Sequence, residues 1–323
     1  MMNRSLCICL LLSAAPAHAQ AQKAEPPSPP KIAMPDFSKV EIKTHKVAGS
    51  VSMLEGAGGN IGVSAGDDGL FVIDDQFAPL APKIKAALAQ ISKKPLRFVF
   101  NTHWHGDHTG GNQPLAEAGA LIVAHDNVRK RMSVDQFIEA VSMKVPAAPP
   151  RALPVVTFSE EVTFHLNGDE IHVFHVPNAH TDGDAIIHFR KANVLHAGDT
   201  FINGAYPVID YSTGGSVDGY IAAQEKMLAT VDDSTKIIPG HGPLGDKAAL
   251  KTAHDMLVKV RDKIAKLAAQ KKTLAEVKAA KPTAEFDAEW SKGFIQPDIL
   301  VEMVYRSLSP GKAARGGSKG RAK

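Results

Sequence analysis

A cluster of metal-ligand residues directly after an apolar run constrains this chain more than any other feature. Residues 96–100 are mostly apolar and read as a buried strand, and the hexapeptide His-Trp-His-Gly-Asp-His follows at positions 103–108. Because alternate side chains of an extended segment share a face, His103 and His105 can bind one metal ion. The carboxylate and the third histidine lie beyond the strand end, where a turn can direct them to a neighbouring ion. Imidazole together with carboxylate suits zinc best, and iron or manganese less well.

Several further elements accompany this motif along the chain. They are, in order, Gly59-Asn60, Val72-Ile73-Asp74-Asp75, Thr109-Gly110-Gly111-Asn112, His180, Ala197-Gly198-Asp199 and Pro239-Gly240-His241-Gly242. Together with the hexapeptide they resemble the metallo-β-lactamase superfamily over most of the chain. The resemblance implies an α+β fold, namely an αβ/βα four-layer sandwich in which helices back two β-sheets, with a helical C-terminal extension.

The resemblance also implies a site for two zinc ions with a full set of ligands. The ligands of the first ion would be His103, His105 and His180. Those of the second ion would be Asp107, His108 and His241, and Asp199 would bridge the two ions.

Two zinc ions held in this way would lie roughly 3.5–4 Å apart and lower the pKa of a shared water to roughly 7. The resulting metal-bound hydroxide would attack a carbonyl. Asp107 would be the catalytic residue that holds the nucleophile's proton and passes it to the leaving group. The sequence therefore predicts an enzyme, a dinuclear zinc metallohydrolase of a small-molecule β-lactam, lactone or ester.

The loop after the bridging aspartate supplies candidate substrate-binding residues, since by resemblance it faces the metals. The candidates are Asn203, Tyr206 and Tyr211. An amide or a tyrosine hydroxyl there could bind a developing oxyanion. A structural role for these aromatic residues is an equally good interpretation.

The substrate class stays open between branches of the superfamily. The best-known β-lactamases carry a cysteine where Asp199 stands and a lysine three residues later, where this chain has Ile202. Glyoxalase-II-like thioesterases use a bridging aspartate, but their Gly-Cys-Gly-Arg loop is replaced by residues 203–206, Asn-Gly-Ala-Tyr. A lactonase is a further alternative. A non-hydrolytic metal-binding or redox accessory protein of the periplasm is the alternative from another class.

The N-terminus reads as a secretory signal peptide over residues 1–19. A short basic start, an apolar core and the Ala17-His18-Ala19 site support this interpretation. A linker rich in proline follows over 20–39. The prediction is therefore a periplasmic protein without a membrane span in its mature chain. Both cysteines of the sequence, Cys7 and Cys9, fall inside the signal, so the mature chain has no thiolate ligand and no disulfide.

The net charge of +3 comes from the C-terminal end of the chain. Residues 309–323 combine five basic residues with glycine, serine and alanine, which predicts a disordered basic tail. The rest of the chain is mildly acidic, so nucleic acid is not an expected partner. The oligomeric state stays open.

The remaining pattern divides into a catalytic domain at 40–246 and a helical extension at 247–308. Short strands and a helix at 79–91 precede the motif, and a second helix is predicted near 127–141. An apolar stripe spaced by three and four residues after Pro243 predicts a long amphipathic helix that packs on the protein's own body. Thr273-x-x-Glu276 is a capping box for the next helix.

Overall fold

A computed structural model describes residues 34–308 of the chain. The predicted signal peptide, most of the predicted linker and the predicted tail lie outside these residues. The described strands are β1 (Lys43–Ala48), β2 (Val51–Glu55), β3 (Ile61–Gly66), β4 (Gly69–Ile73), β5 (Leu96–Asn101), β6 (Leu121–His125), β7 (Gln136–Ile138), β8 (Met143–Val145), β9 (Val156–Phe158), β10 (Glu161–Leu166), β11 (Asp169–His175), β12 (Ala185–Phe189), β13 (Val194–His196) and β14 (Lys236–Ile238).

The α-helices of the same residues complete the secondary structure. They are α1 (Ala81–Ile91), α2 (Gly106–Thr109), α3 (Asn112–Glu117), α4 (Asp126–Met132), α5 (Val217–Thr230), α6 (Lys247–Ala269), α7 (Leu274–Ala279), α8 (Asp287–Trp290) and α9 (Pro297–Ser307). Short 3-10 turns occur between them.

Two mixed β-sheets form the centre of the fold. The first has seven strands in the order β1-β2-β3-β4-β5-β6-β9, and the second has five in the order β10-β11-β12-β13-β14. In the first sheet the pairs from β1 to β4 are antiparallel, whereas β4, β5, β6 and β9 run parallel. In the second sheet only β13 and β14 pair in parallel. The carboxyl ends of β5, β13 and β14 carry the metal-ligand motifs.

Three apolar layers hold the sheets and helices together, which confirms the four-layer sandwich. Between the sheets, Phe71 and Phe100 pack with Val173 and Ile187. Outside the first sheet, α1 buries its apolar face on the strands. Outside the second sheet, α5, α6 and α9 share one large core. The central strands β3, β4, β12 and β13 are therefore largely buried, whereas the edge strands β1 and β10 are partly exposed.

One predicted helix is wrong in its extent. The helix expected near 127–141 ends at Met132, and the hairpin of β7 and β8 follows. Ile138 and Val141, which read as helical positions, are buried instead in a separate cluster with Trp104. Tertiary packing against this tryptophan thus outweighs the local helical pattern.

The C-terminal helices follow the sequence closely. The apolar stripe of α6, which includes Leu250, Leu257 and Ile264, is buried in the core shared with α5 and α9. The capping box of α7 is confirmed: Thr273 Oγ1 accepts from the Glu276 backbone, and the Glu276 carboxylate accepts from the Thr273 backbone. Within residues 34–308, no helix combines the length and the apolar character that a bilayer crossing needs.

Candidate metal centre

Four separate segments of the chain bring the predicted ligands together at one end of the two sheets. His103 and His105 follow β5, and α2 begins directly after them, which places Asp107 and His108 in its first turns. The remaining three ligands follow strands of the second sheet, and they are His180 after β11, Asp199 after β13 and His241 after β14. Their ligand atoms form overlapping groups in which every atom lies within 4.8 Å of the others.

The first group consists of His103, His105 and His180, which is the grouping that the family resemblance implies. His105 Nδ1 lies 2.8 Å from His180 Nε2. Each ring is fixed from behind: His105 Nε2 donates to Asp210 Oδ2 at 3.1 Å, and His180 Nδ1 donates to the Val208 carbonyl at 2.8 Å. These outer hydrogen bonds set the tautomers that leave a lone pair of each ring facing the other ligands.

His103 completes this group with a nitrogen that has no other role. Its Nδ1 lies 3.0 Å from Thr102 Oγ1, and its Nε2 is buried without a hydrogen-bond partner among residues 34–308. Burial, together with neighbouring imidazoles, lowers the pKa of His103, and the same causes lower the pKa of His180 to about 4. Neutral imidazoles with inward lone pairs are the form in which histidine binds a metal.

The second group consists of Asp107, His108 and His241. Asp107 Oδ2 lies 3.2 Å from His241 Nε2 and 3.6 Å from His108 Nε2. His108 Nδ1 donates to Asp74 Oδ2 at 2.7 Å, so its Nε2 faces the group. Asp74 also accepts from the backbone and hydroxyl of Thr102, next to His103. The buried carboxylate of Asp74 therefore holds both ends of residues 102–108 in place.

Asp199 lies between the two groups. Its Oδ1 is 3.1 Å from His108 Nε2 and 3.5 Å from His241 Nε2, and its Oδ2 is 3.7 Å from His180 Nε2. Tyr220 of α5 donates its hydroxyl to the Asp199 carbonyl at 2.6 Å. The two carboxylate oxygens thus face different groups, as a bridging ligand requires.

Close backbone approaches fix the loop that carries His241. A Cβ at Gly240 would lie 2.0 Å from Asp199 Oδ1, so only glycine fits there. The Asn60 amide donates to the carbonyls of Pro239 and Gly242 at 3.0 and 2.9 Å. The glycine-asparagine element near the start of the domain therefore holds the last ligand loop in place.

The charges of the second group show that it accommodates a cation. Although burial opposes the charged form, Asp199 and Asp107 raise the pKa of His241 to about 10. The pKa of His108 is raised as well, because the same carboxylates outweigh burial. The two carboxylates thus stabilise the protonated, positively charged imidazoles. A bound metal ion would supply this positive charge in place of the protons. Together with the unpartnered nitrogen of His103, the donor set fits metal binding.

Sequence reasoning missed several residues that support the ligands. Asp210, which orients His105, is buried and also accepts from Ser212 and Thr213. Although burial opposes ionisation, the hydrogen bond from His105 contributes most to lowering the pKa of Asp210 to about 2. Asp184 accepts from the backbone and hydroxyl of Thr181, next to His180, and burial raises its pKa to about 7. Asp210 lies 105 positions from His105, and the Asp184 contacts are to Thr181 and not to a ligand, so no local pattern connects either aspartate with the ligand groups.

The three predicted substrate-binding residues differ in their placement. Asn203 remains beside the centre, where its backbone N–H donates to the His241 carbonyl at 3.0 Å and its amide donates to the Pro243 carbonyl at 2.9 Å. Tyr206 does not face the ligands: it is buried, and its hydroxyl donates to Asp287 Oδ1 at 2.8 Å in the C-terminal extension.

Tyr211 is the third of these residues, and it follows Asp210 behind His105. It packs against Arg306 of α9, whose guanidinium carbon is 5.9 Å from the ring centroid. The extension therefore engages both tyrosines.

Comparisons with known proteins agree with this geometry. Residues 55–241 match the sequence profile of the Metallo-beta-lactamase superfamily. A hydroxyacylglutathione hydrolase from Polaromonas sp. is 28% identical over 167 residues, which cover 50% of this chain and 55% of that protein. The chain thus spans about half the length of the curated relative.

Solved structures show the same fold. The DIM-1 metallo-beta-lactamase matches with a TM-score of 0.54 and 21% identity, over 68% of this chain and 99% of that one. The sec-alkylsulfatase Pisa1 from Pseudomonas sp. matches with a TM-score of 0.62 and 17% identity, over 85% of this chain and 52% of that one. At these identities the likeness concerns the fold alone.

Proposed function

We propose that this chain, which belongs to the metallo-beta-lactamase superfamily, is a dinuclear zinc hydrolase of small-molecule lactones, esters and, less efficiently, β-lactams. The observation that carries the proposal is the arrangement of two ligand groups around one carboxylate, Asp199, which lies close to histidines of both. The donor set is three imidazoles on one side and two imidazoles with a carboxylate on the other. Nitrogen and oxygen donors of this kind, without thiolate, suit zinc.

Zinc ions bound at such a site lower the pKa of a coordinated water to roughly 7 and polarise a carbonyl oxygen. The protein's part is to hold the ligands rigidly and to orient them. Asp210 and the Val208 carbonyl fix the rings of the first group, and Asp74 fixes His108. Such outer partners preset the ligand geometry, so little reorganisation is needed when a substrate arrives.

Asp107 is the residue of the proposed mechanism that moves a proton. Its side chain is 28% exposed, and its Oδ2 faces His241. Although burial opposes ionisation, His108 and His241 keep the pKa of Asp107 below its ordinary range. The carboxylate is therefore ionised, and in the proposed mechanism its Oδ2 holds the proton of the attacking water and delivers it to the leaving group.

The residues near His241 disfavour efficient binding of a β-lactam carboxylate. Ile202 pairs with His241 in an isolated β-bridge, and its side chain is buried. Residue 202 is therefore not a cation. The best-known β-lactamases carry a lysine at the corresponding position. The loss of one charge-assisted hydrogen bond weakens binding by roughly ten- to a hundredfold. Neutral lactones and esters do not need this anchor.

A thioesterase is the second candidate function, favoured by the similarity to a hydroxyacylglutathione hydrolase. Both candidate functions use a water molecule activated by the proposed zinc ions as the nucleophile. They differ in the substrate group that the cleft accommodates.

We also propose that the protein works in the periplasm. This rests on the signal peptide expected at residues 1–19, and an exported protein whose N-terminus is Gln20 would support it.

A substrate panel on the purified protein tests the proposal. A lactone, a simple ester, a penicillin, a cephalosporin, a carbapenem and a glutathione thioester are assayed at one zinc concentration. The proposal expects lactone or ester turnover that a chelator abolishes and zinc restores, with slower β-lactam turnover. Thioester turnover above all others would favour the second candidate. Turnover that survives complete metal removal would contradict both.

A further inference from the structure

The indole of Trp104 connects the metal centre with the hairpin of β7 and β8. Trp104 separates the ligands His103 and His105 in the chain, and its ring centroid lies 4.6 Å from that of His105. The indole is buried in one cluster with Ile138 and Val141 of the hairpin. A buried indole needs an acceptor for its N–H group, so the position of that acceptor is informative.

The acceptor of the indole is a hydroxyl that contacts Asp210. Trp104 Nε1 donates to Thr213 Oγ1 at 3.3 Å. Because an indole N–H can only donate, the Thr213 hydroxyl accepts here, and its single proton is left for another partner. Thr213 donates that proton to Asp210 Oδ2 at 2.6 Å, and the same oxygen accepts from His105 Nε2 at 3.1 Å.

A second hydroxyl on Asp210 is fixed in the same way. Ser212 Oγ accepts from the backbone N–H of Glu139 at 3.2 Å, and Glu139 begins the 3-10 turn between β7 and β8. A backbone N–H can only donate, so Ser212 directs its own proton to Asp210 Oδ1. Two donor-only groups thus make both hydroxyls donors, and both oxygens of Asp210 are acceptors.

This arrangement determines which nitrogen of His105 carries the proton. Asp210 and Thr213 are buried, so the protein itself supplies the partners of this carboxylate. Because Asp210 Oδ2 is an acceptor, the proton of His105 belongs on Nε2, and the lone pair on Nδ1 faces His180 Nε2 at 2.8 Å. The opposite tautomer would place two lone pairs against each other. The neighbours of Asp210 therefore favour the tautomer that can bind a metal through Nδ1.

We propose that Trp104, Ser212 and Thr213 are positioning residues for His105, and that the hairpin acts through them to keep the first ligand group in its metal-binding form. The inference rests on the proposed metal centre, whose first ion this group would hold. The second group has a different outer partner, Asp74, on His108. Changes at the positioning residues should therefore affect the first ion selectively.

Matched substitutions in the full-length protein test the proposal. Thr213→Val removes the hydroxyl and keeps the shape of the side chain, whereas Thr213→Ser keeps a hydroxyl. Trp104→Phe removes the indole N–H and keeps an aromatic ring. Trp290→Phe is its control, because Trp290 packs in the core of the C-terminal helices.

Cobalt(II) titration followed by visible absorption measures the affinity of each group. We expect Thr213→Val to weaken the first ion about tenfold and Trp104→Phe about threefold, while the second ion changes by less than about twofold. Thr213→Ser and Trp290→Phe should bind cobalt as the wild type does. Equal weakening of both ions would mean general loosening of the fold and would overturn the proposal.

Nuclear magnetic resonance of the His105 ring gives a second measurement that does not depend on bound metal. The signals are assigned with His105→Gln and recorded in alkaline buffer after treatment with a chelator. The ring proton should reside on Nε2 in the wild type and in Thr213→Ser, whereas Thr213→Val should show both tautomers.

The two measurements distinguish failure of this inference from failure of the proposed function. A wild-type protein that binds no cobalt would contradict the proposed metal centre, and the ring signals would still decide the role of the hydroxyls. An unchanged His105 ring together with unchanged first-ion affinity in Thr213→Val would overturn the inference. Equal behaviour of Trp104→Phe and Trp290→Phe would show that Trp104 is not a positioning residue.

Discussion

The two ligand groups of the metal centre differ in how far they are closed to solvent. In the first group, His180 is fully buried and the His105 side chain is 10% exposed. In the second group, the side chains of Asp107 and His241 are 28% and 34% exposed. We call the first group the closed group and the second group the open group. A substrate that arrives from solvent meets the open group first.

The groups also differ in how their side chains are oriented. Rings of the first group are fixed by Asp210 and the Val208 carbonyl, both from the segment that precedes α5. In the second group, Asp74 fixes His108, while the loop of His241 is held through its backbone by Asn60. The rings of the closed group are therefore each fixed by a hydrogen bond, whereas the His241 loop of the open group is held through its backbone. Asp199 lies between the two groups.

The largest expected effect comes from removing the residue that both groups share. Asp199→Ala should lower kcat/KM at least about a hundredfold, because a carboxylate that orients both ions is lost. It should weaken the ion of the open group more than that of the closed group. Native mass spectrometry and steady-state kinetics measure the two effects.

His165→Ala is the control for Asp199→Ala, since this exposed strand histidine touches no ligand group. Its metal content should equal that of the wild type. If Asp199→Ala retained both ions at wild-type affinity, the bridging assignment would be wrong.

A matched pair of substitutions separates the groups. Asp210→Asn removes the charge behind His105, and Asp74→Asn removes the charge behind His108. Asp210→Asn should weaken the ion of the first group by about ten- to a hundredfold, as losses of outer partners typically do. Asp74→Asn should weaken the ion of the second group by a similar factor, with a smaller effect on the first group because Asp74 also holds Thr102 beside His103. Cobalt(II) titration followed by visible absorption reports which site fills. If the two variants weakened both ions equally, the two groups would not be held independently by their outer carboxylates.

Chelation of the wild-type protein tests the exposure difference directly. A chelator reaches Asp107 and His241 more easily than the buried first group, so the open group should lose its ion first. We expect an affinity ratio of about tenfold, which corresponds to about 1.4 kcal/mol. Mass spectrometry at rising chelator concentration should show a one-metal species. Simultaneous loss of both ions would contradict the predicted order.

The smallest effect is expected at Tyr206, whose hydroxyl donates to Asp287 away from both groups. Tyr206→Phe should cost about 1 kcal/mol of folding stability and change kcat/KM by less than about twofold. Thermal unfolding and kinetics measure both quantities. Tyr220→Phe is the matched comparison, because that hydroxyl donates to the Asp199 carbonyl, and it should lower kcat/KM further. A larger loss of kcat/KM in Tyr206→Phe than in Tyr220→Phe would indicate that Tyr206 belongs to the substrate site.

Each predicted ligand lies in a loop or short helix that follows a strand, so a local pattern singles it out, and the groups of close ligand atoms contain all of these residues. β13 and β14, for example, end immediately before the loops that carry Asp199 and His241. Parallel neighbours in a sheet bring such ends together, so a local pattern is enough to place the residues. The grouping of the ligands around Asp199 follows from the family resemblance.

The supporting residues could not be predicted in this way. Asp210 and His105 are 105 positions apart, and their contact depends on how the loop before α5 folds over the first group. The place of Tyr206 after Asp199 suggests a substrate role, but the packing of residues 203–206 on the C-terminal extension turns its hydroxyl away. Contacts of this kind are set by long-range packing, which a single sequence does not encode in any local pattern.

The close approach of Gly240 to the bridging carboxylate has a consequence for the evolution of new substrate ranges. A Cβ at position 240 would displace Asp199, so any mutation there destroys the centre instead of reshaping it. Gly106 stands between two ligands, yet the position of its Cβ is open space. Libraries diversified at residue 106 would sample new contacts beside an unchanged metal centre. Selection for new activities should therefore return changes at 106 and retain glycine at 240.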